Sequence, residues 1–494
     1  MAARARPSTM AFVKEVWKVM GKNTAQTLSL LWCLVLAACA TAPAPAPLDP
    51  APEPATPLPQ TSLAELQAAI DVMAQPVVER GWIKGMAIAF VHPSGTAVMG
   101  YGQGGEGQGR PGPDTVFEIG SVTKVFTALL LADLVAQGAA ELHTPVAALL
   151  PQTMSVPTFQ GREITLLDLA THRSALPRLP TNFAPADPEN PYLDFGMEQV
   201  SAFLAEHVLS QAPGTQALYS NLGTGLLGFA VAKHWGGTYE AVLRERILGP
   251  LGLEDTGIAL SAAQAARLIQ GHDENGRAVP PWDFGALEGA GALRSTPADM
   301  LRFLQLCLGG VASPLAPVID RSMAYQGPFD NAHSMGLGWL ISAQGQRWHD
   351  GMTGGYYTFV AIDPQAQVGV VLLANTRHPI AQQMGWALIR LLAGEPYRFE
   401  LPQEIVLGEE ILRRYVGRYV LGPGVSLTVT LEDGALMAQI TGQSALRLYP
   451  EEETLFDYRV LPAKIQFVVE DDGTVTGLLL RQGGREIPAE RAAE

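Results

Sequence analysis

Apolar and polar positions repeat along this chain with two different periods, and the points where the period changes divide it. Ser62-Leu63-Ala64-Glu65 has the form of a capping box and opens a helix that runs to about Glu79. Met86, Ile88 and Phe90 then alternate with smaller residues, and Pro93-Ser94-Gly95 turns the chain into a second strand near Ala97–Tyr101. From residue 115 to about 310 the pattern is chiefly helical and includes two strongly apolar helices, Val125–Gln137 and Leu222–Ala232. Strand signals resume at Leu337–Ile341, Arg347–His349, Tyr356–Ile362 and Val368–Ala374, mostly joined by short turns, which predicts antiparallel neighbours. Ile380–Leu392 closes the region with apolar residues at helical spacing. Two early strands, about three late ones and a helical middle predict an α/β sandwich with an inserted all-α lobe over residues 62–400.

After Pro402 the period falls to two. Tyr415–Val420, Ser426–Leu431, Ala435–Ile440 and Ile465–Val469 read as short strands, with Glu432-Asp433-Gly434 and Asp471-Asp472-Gly473 as hairpin turns. They predict a separate small β-barrel or sandwich at 405–494.

The other end of the chain reads as an address. Residues 1–38 hold an apolar stretch, Leu28–Ala38, too short to span a bilayer and preceded by Lys22, which is the form of a signal peptide. Leu36-Ala37-Ala38-Cys39 resembles the bacterial lipobox, which implies lipidation of Cys39. Ala40 in place of an aspartate implies the outer membrane, facing the periplasm. Residues 39–61 are then the lipidated cysteine and a Pro-rich linker, suited to extended polyproline II.

Composition narrows the function. A hydrophobic fraction of 47% excludes wholesale disorder, and a net charge of −15 without a basic stripe argues against nucleic acid. The cysteines at 33, 39 and 307 form no C-x-x-C pair, and no His cluster has metal-ligand spacing; Cys307 reads as a small buried hydrophobe on a helix. Gly102-Gln103-Gly104-Gly105-Glu106-Gly107 fits G-x-G-x-x-G, yet Arg110-Pro111-Gly112-Pro113 follows where a dinucleotide site needs a helix.

Lysine is scarce, with seven in the whole chain, so Lys124 inside an apolar helix needs a reason. In Ser121-Val122-Thr123-Lys124 the i and i+3 positions share a helix face, bringing an ammonium group beside a hydroxyl that is a weak nucleophile alone. A structural N-cap serine beside a snorkelling lysine explains the pair nearly as well. Tyr219-Ser220-Asn221 precedes the second apolar helix; a phenol with a cation within about 4–6 Å ionises more easily and would serve as base toward Ser121. Read by itself, this tripeptide is a capping turn. Trp348-His349-Asp350-Gly351-Met352-Thr353-Gly354-Gly355 links two late strands, and its glycines permit close backbone approach. The Met352 and Ser121 N–H groups would together form an oxyanion hole, whereas the bland reading is a glycine-rich hairpin.

In this order the three segments resemble the S-x-x-K, Y-x-N and [KH]-x-G motifs of the penicillin-recognising serine hydrolases: class C β-lactamases, D-Ala-D-Ala carboxypeptidases and related esterases. Phe117-Glu118-Ile119-Gly120, Leu166–His172, Leu293–Thr296 and Val370–Asn375 share the resemblance, which covers roughly 65–395, and the tail from about 405 resembles an appended lipocalin-like domain. It implies a five-stranded antiparallel sheet flanked by helices with the site at the all-α lobe, acylation of Ser121, and Lys124 and Tyr219 as its partners. It also implies substrate contacts at Asn221, His349, Asp350, Gly351 and Met352, and no metal or organic cofactor.

One position departs from the pattern: Asp350 stands where the family has a hydroxyl residue that holds the substrate carboxylate. A carboxylate there would repel such a substrate. The expectation is therefore a hydrolase of peptide amides or esters, small-molecule or peptide, with a class C-like β-lactamase as alternative. From another class, a non-catalytic penicillin-binding or envelope-interaction protein is the competing reading. The oligomeric state stays open.

Overall fold

The computed structural model describes residues 61–105, 107–401 and 404–492, so Cys39, the leader and the linker lie outside the described residues. The chain divides into two compact units, with the boundary between Glu400 and Leu401.

The first unit begins with helix α1, Leu63–Glu79, where the Ser62 side chain and Glu65 form a reciprocal capping box. Strands β1, Gly85–His92, and β2, Gly95–Gly102, follow as a hairpin. The inserted lobe contains α2, Thr123–Ala136, and α3, Asn221–His234, and is followed by α4, Pro297–Cys307. Three more strands, β3 (Arg347–Met352), β4 (Tyr357–Asp363) and β5 (Val368–Ala374), lead into α5, Ile380–Leu392.

These five long strands form one antiparallel sheet in the order β2-β1-β5-β4-β3, so the two ends of the unit meet at its centre, with Met86 opposite Ala374. Beyond β3 the sheet is extended by three two-residue strands, Leu340–Ile341, Ser334–Met335 and Gly327–Pro328. The predicted strand at 337–341 shrinks to its last two residues, because Gly338 adopts a positive φ of 69° with its Cα against the Lys124 carbonyl. Every residue of β4 and β5 is buried, which requires cover on both faces. Gly385 of α5 packs on Phe359 on one side, and Leu304 of α4 packs on Gly369 on the other. A large apolar cluster continues from α4 through α2 and α3 into the helical lobe.

The second unit opens on a short helix, Glu409–Tyr415, and closes eight antiparallel strands between Gly417 and Arg491 into a barrel. Its interior is filled by side chains, among them Tyr415, Tyr419, Phe456 and Phe467, whose rings stack edge-to-face and face-to-face. Closure removes the exposed strand edges that a ninety-residue sheet would otherwise present.

Candidate active site

The nucleophile turn is held by a close crossing of backbones. Gly120, with φ of +48°, leads into a single 3-10 turn, Gly120–Val122, from which α2 continues. β3 lies directly on this turn. A Cβ on Gly351 would stand 2.0 Å from the Ile119 carbonyl oxygen and 2.9 Å from the Ser121 nitrogen, and one on Gly120 would stand 2.7 Å from the Met352 nitrogen. Both glycines are therefore required by space, and Gly120 by its conformation as well.

This crossing also aims the backbone. Thr353 N–H donates to the Tyr356 carbonyl at the hairpin end of β3, so the Met352 N–H, one residue earlier, points away from β4. Beyond Trp348 no strand among the described residues pairs with that edge, which instead runs against the Gly120–Ser121 backbone. The Ser121 and Met352 nitrogens, predicted as an oxyanion hole, both lie at this crossing.

Lys124 follows one turn after Ser121 and is only 1% exposed. Its Nζ donates to Ser121 Oγ (3.0 Å) and to the Ala290 carbonyl (2.6 Å), and lies 4.9 Å from the centre of the Tyr219 ring. Burial, and secondarily the Arg178 charge, hold its pKa well below the usual lysine value. The Tyr219 hydroxyl also interacts with the Ser121 hydroxyl. Here the expectation of an easily ionised phenol needs correction: burial raises the Tyr219 pKa by more than the hydrogen bond from Ser121 and the Arg178 charge lower it. At neutral pH the serine stands between a protonated phenol and an amine that gives up its proton easily.

Tyr219 is positioned by His172, whose ring packs on it at 4.4 Å, whose Nδ1 accepts from the Ser220 N–H, and whose carbonyl accepts from the Leu218 N–H. Asn221 Nδ2 donates to the Tyr192 hydroxyl (3.2 Å), while its Oδ1 is buried and without a partner. Asn221 is therefore hydrogen-bonded to neither Ser121 nor Lys124, and its free acceptor belongs to a residue that lines the pocket. That pocket, about 100 Å³, is lined by Ser121, Asn221 and Met352 together with Arg178, Tyr192, Trp282, Phe284 and Arg377.

His349 and Asp350 part company. Successive strand residues face opposite sides of a sheet. His349 shares the face of Gly351, toward Ser121 and Tyr219, with its ring 6.3 Å from the Tyr219 ring. Burial pushes its pKa down to about 4, against the raising effect of Asp350. The Asp350 side chain lies on the opposite face, where its Oδ2 accepts from the Tyr357 hydroxyl (2.6 Å) and from Gln382 Nε2 of α5 (3.1 Å). The expectation that Asp350 touches the substrate is thereby corrected, although its charge still reaches the site and raises the proton affinities of Lys124, Tyr219 and His349. Arg377, a possible counter-charge to it, instead pairs with Glu274.

Sequence reasoning missed Arg178, Tyr192, Trp282 and Phe284. They come from loops far along the chain from any motif, and no spacing rule connects them to Ser121. Among the described residues no group of three His, Cys, Asp or Glu side chains is placed to hold a metal ion.

Comparison with known proteins agrees with this geometry. Residues 70–395 match the Beta-lactamase family, and residues 403–491 match a domain of unknown function, DUF3471. The chain is 33% identical over 331 residues to the D-alanyl-D-alanine-carboxypeptidase/endopeptidase AmpH of Escherichia coli (strain K12), which covers 63% of this chain and 84% of that protein. It is 27% identical over 358 residues to a beta-lactamase of Pseudomonas fluorescens, covering 65% of this chain and 96% of the relative. The structure superposes on that of a beta-lactamase/D-alanine carboxypeptidase from Yersinia pestis with a TM-score of 0.59 at 26% identity, over 67% of this chain and 99% of that one. Matched from residue 70 to residue 395, across nearly all of the α/β unit, this chain belongs to the beta-lactamase family of serine hydrolases.

Proposed function

We propose that the protein hydrolyses amide or ester bonds through an acyl-enzyme on Ser121, and that its substrates are peptide-like rather than β-lactams alone. The observation that carries this reading is the placement of Ser121 Oγ between Lys124 Nζ and the Tyr219 hydroxyl, beside the paired Ser121 and Met352 amides. The peptidase branch is supported by the 33% identity to a D-alanyl-D-alanine-carboxypeptidase/endopeptidase.

In the proposed cycle the Lys124 amine accepts the Ser121 proton as Oγ attacks the carbonyl carbon. The oxyanion forms against the Ser121 and Met352 N–H groups, whose fixed orientation stabilises the developing charge. Tyr219 gives its phenolic proton to the leaving group as the acyl bond breaks, and the Lys124 ammonium restores it. Water then enters in the leaving group's place and gives up its proton along the same route in reverse, while Ser121 regains its own. Asn221 Oδ1 accepts from the substrate amide N–H, a role its unpartnered, buried oxygen suits.

The test is turnover of D-amino-acid anilides, nitrophenyl esters and a chromogenic cephalosporin by wild type and Ser121→Ala, with mass spectrometry of the acylated protein. The expectation is activity on the first two, an adduct on Ser121, and loss of both in the variant. No turnover and no adduct in wild type would return the non-catalytic, envelope-binding reading.

A further inference from the structure

Besides Ser121, Lys124 Nζ is hydrogen-bonded to the Ala290 carbonyl at 2.6 Å. A carbonyl only accepts, so it takes an N–H from this nitrogen whether the group is an amine or an ammonium. The place of that carbonyl therefore sets where the remaining directions of the nitrogen point, the one toward Ser121 among them. Ala290 belongs to the short helix Glu288–Gly291, and α2 grips this segment with the residues on either side of Lys124. Thr127 Oγ1 donates to the Gly289 carbonyl (2.7 Å), and Thr123 Oγ1 accepts from the Leu293 N–H (3.1 Å).

Behind Thr127 stands Tyr239, a buried phenol with no part in the proposed cycle. Its hydroxyl lies 2.6 Å from Thr127 Oγ1. Thr127 has one proton to give, and its other contacts, the Gly289 carbonyl at 2.7 Å and the Thr123 carbonyl at 3.3 Å, can only accept. The phenol is therefore the donor to Thr127, and Thr127 donates in turn to Gly289, a chain with a single direction. Burial pushes the Tyr239 pKa up, so the first donor keeps its proton. The backbone at the end of the chain has no slack. A Cβ on Gly228 of α3 would stand 3.0 Å from the Tyr239 ring, and one on Gly289 would stand 3.2 Å from both the Gly228 Cα and Thr127 Oγ1. The Gly289 peptide is thus wedged between α3 and Thr127.

We propose that Tyr239 and Thr127 are positioning residues for acylation: through the Gly289 peptide they hold the Ala290 carbonyl against Lys124 Nζ and keep the amine on the Ser121 proton. The proposal rests on the acyl-transfer reading of the site and adds two groups, neither of them lining the pocket, that act on its base from behind. A hydrogen bond to an ion is stronger than one to a neutral group, so the Ala290 carbonyl favours the ammonium form of Lys124, and displacing it lowers the Lys124 pKa further. Arg178 lowers that pKa and Asp350 raises it, and His172, His349 and Tyr219 also face Lys124, while Glu288 acts on Tyr239. Thr127→Val and Tyr239→Phe leave all of these groups in the chain.

The test compares wild type with Thr127→Val, Tyr239→Phe, Thr127→Val/Tyr239→Phe and Thr127→Ser. It reads kcat on a nitrophenyl ester, the urea midpoint, and the Lys124 pKa from NMR of protein labelled with carbon-13 at lysine Cε. The Lys124 signal is assigned by its absence from Lys124→Arg. Each single removal strands a buried polar partner and lowers the midpoint, whereas the double variant makes both partners apolar and should recover most of the stability. Its kcat should nevertheless stay about tenfold to a hundredfold below wild type, with the Lys124 pKa lower by about half to one pH unit. Thr127→Ser, which keeps the hydroxyl, should recover most of the rate. A kcat that returns with the midpoint in the double variant would mean that the two residues serve the fold alone, and it overturns the proposal, as does a Lys124 pKa that no variant moves. Should wild type turn over no ester and take no adduct on Ser121, the catalytic reading fails by itself. The NMR measurement then decides: a lowered pKa in the double variant upholds the hold on Lys124, and an unmoved one overturns it.

Discussion

Ser121 is flanked by two groups whose proton affinities burial moves in opposite directions: the Lys124 amine downward and the Tyr219 phenol upward. Desolvation disfavours the charged form of each, and for one that is the protonated state, for the other the deprotonated state. Burial therefore biases the amine toward the role of base and the phenol toward that of acid. Lys124→Arg should lower acylation at least about 10³-fold, because a guanidinium does not give up its proton. Tyr219→Phe should cost roughly 10²- to 10⁴-fold on an anilide and far less on a nitrophenyl ester, whose leaving group needs no proton. Equal losses of the two variants on the ester would refute this division of labour. The lysine was legible in the sequence as an anomaly, a charge in an apolar helix. The state of Tyr219 was not, since the sequence showed the neighbouring cation and not the burial that outweighs it.

At the scale of the element, β3 does most of the positioning. Alternation along the strand sends His349 and Gly351 toward Ser121 and sends Asp350 to Tyr357 and Gln382. The same hairpin turns the Met352 N–H to the open edge. Period two was readable for these residues, but which face met the nucleophile depended on the register of β3 against β4, with Met352 opposite Tyr357. Gly351 is where this arrangement is tightest. Gly351→Ala puts a methyl 2.0 Å from the Ile119 oxygen and must part the two backbones that carry the oxyanion amides. A displacement near 1 Å there should cost about 10²-fold or more in kcat, with the far-ultraviolet circular dichroism of a folded protein retained. Unchanged kcat would show that the crossing does not set the site.

At the scale of the molecule, the fold encloses polar groups that bear on its stability. Glu118, three residues before Ser121, is 3% exposed; one oxygen meets Arg294 Nη2 (3.2 Å) and the Trp282 N–H (2.9 Å), and the Thr353 hydroxyl also acts on the carboxylate. Burial raises its pKa to about 7 despite Arg294. The folded value exceeds the ordinary 4.5, so the folded chain holds a proton that the unfolded chain releases. That contribution is complete below the ordinary value and is lost as pH rises through about 7. Relative to Glu118→Gln, which does not titrate, wild type should lose up to about 3 kcal/mol between pH 4.5 and 8, read from urea midpoints at each pH. A difference that stays constant across this range would assign Glu118 an ordinary pKa. The barrel, by contrast, has an apolar core of its own, separate from that of the α/β unit.

Local pattern by itself determined the elements, their two periods, the change of texture near residue 402 and the three segments that carry the chemistry, because periodicity, caps and turn residues act over a few positions. Only the tertiary structure decided which of those residues face one another. Burial set the proton on Tyr219, strand register turned the Asp350 side chain to Tyr357 and Gln382, and a loop far from any motif brought Arg178 into the pocket with Ser121. Each of these depends on contacts between segments far apart in the chain, whose geometry and dielectric no local spacing encodes.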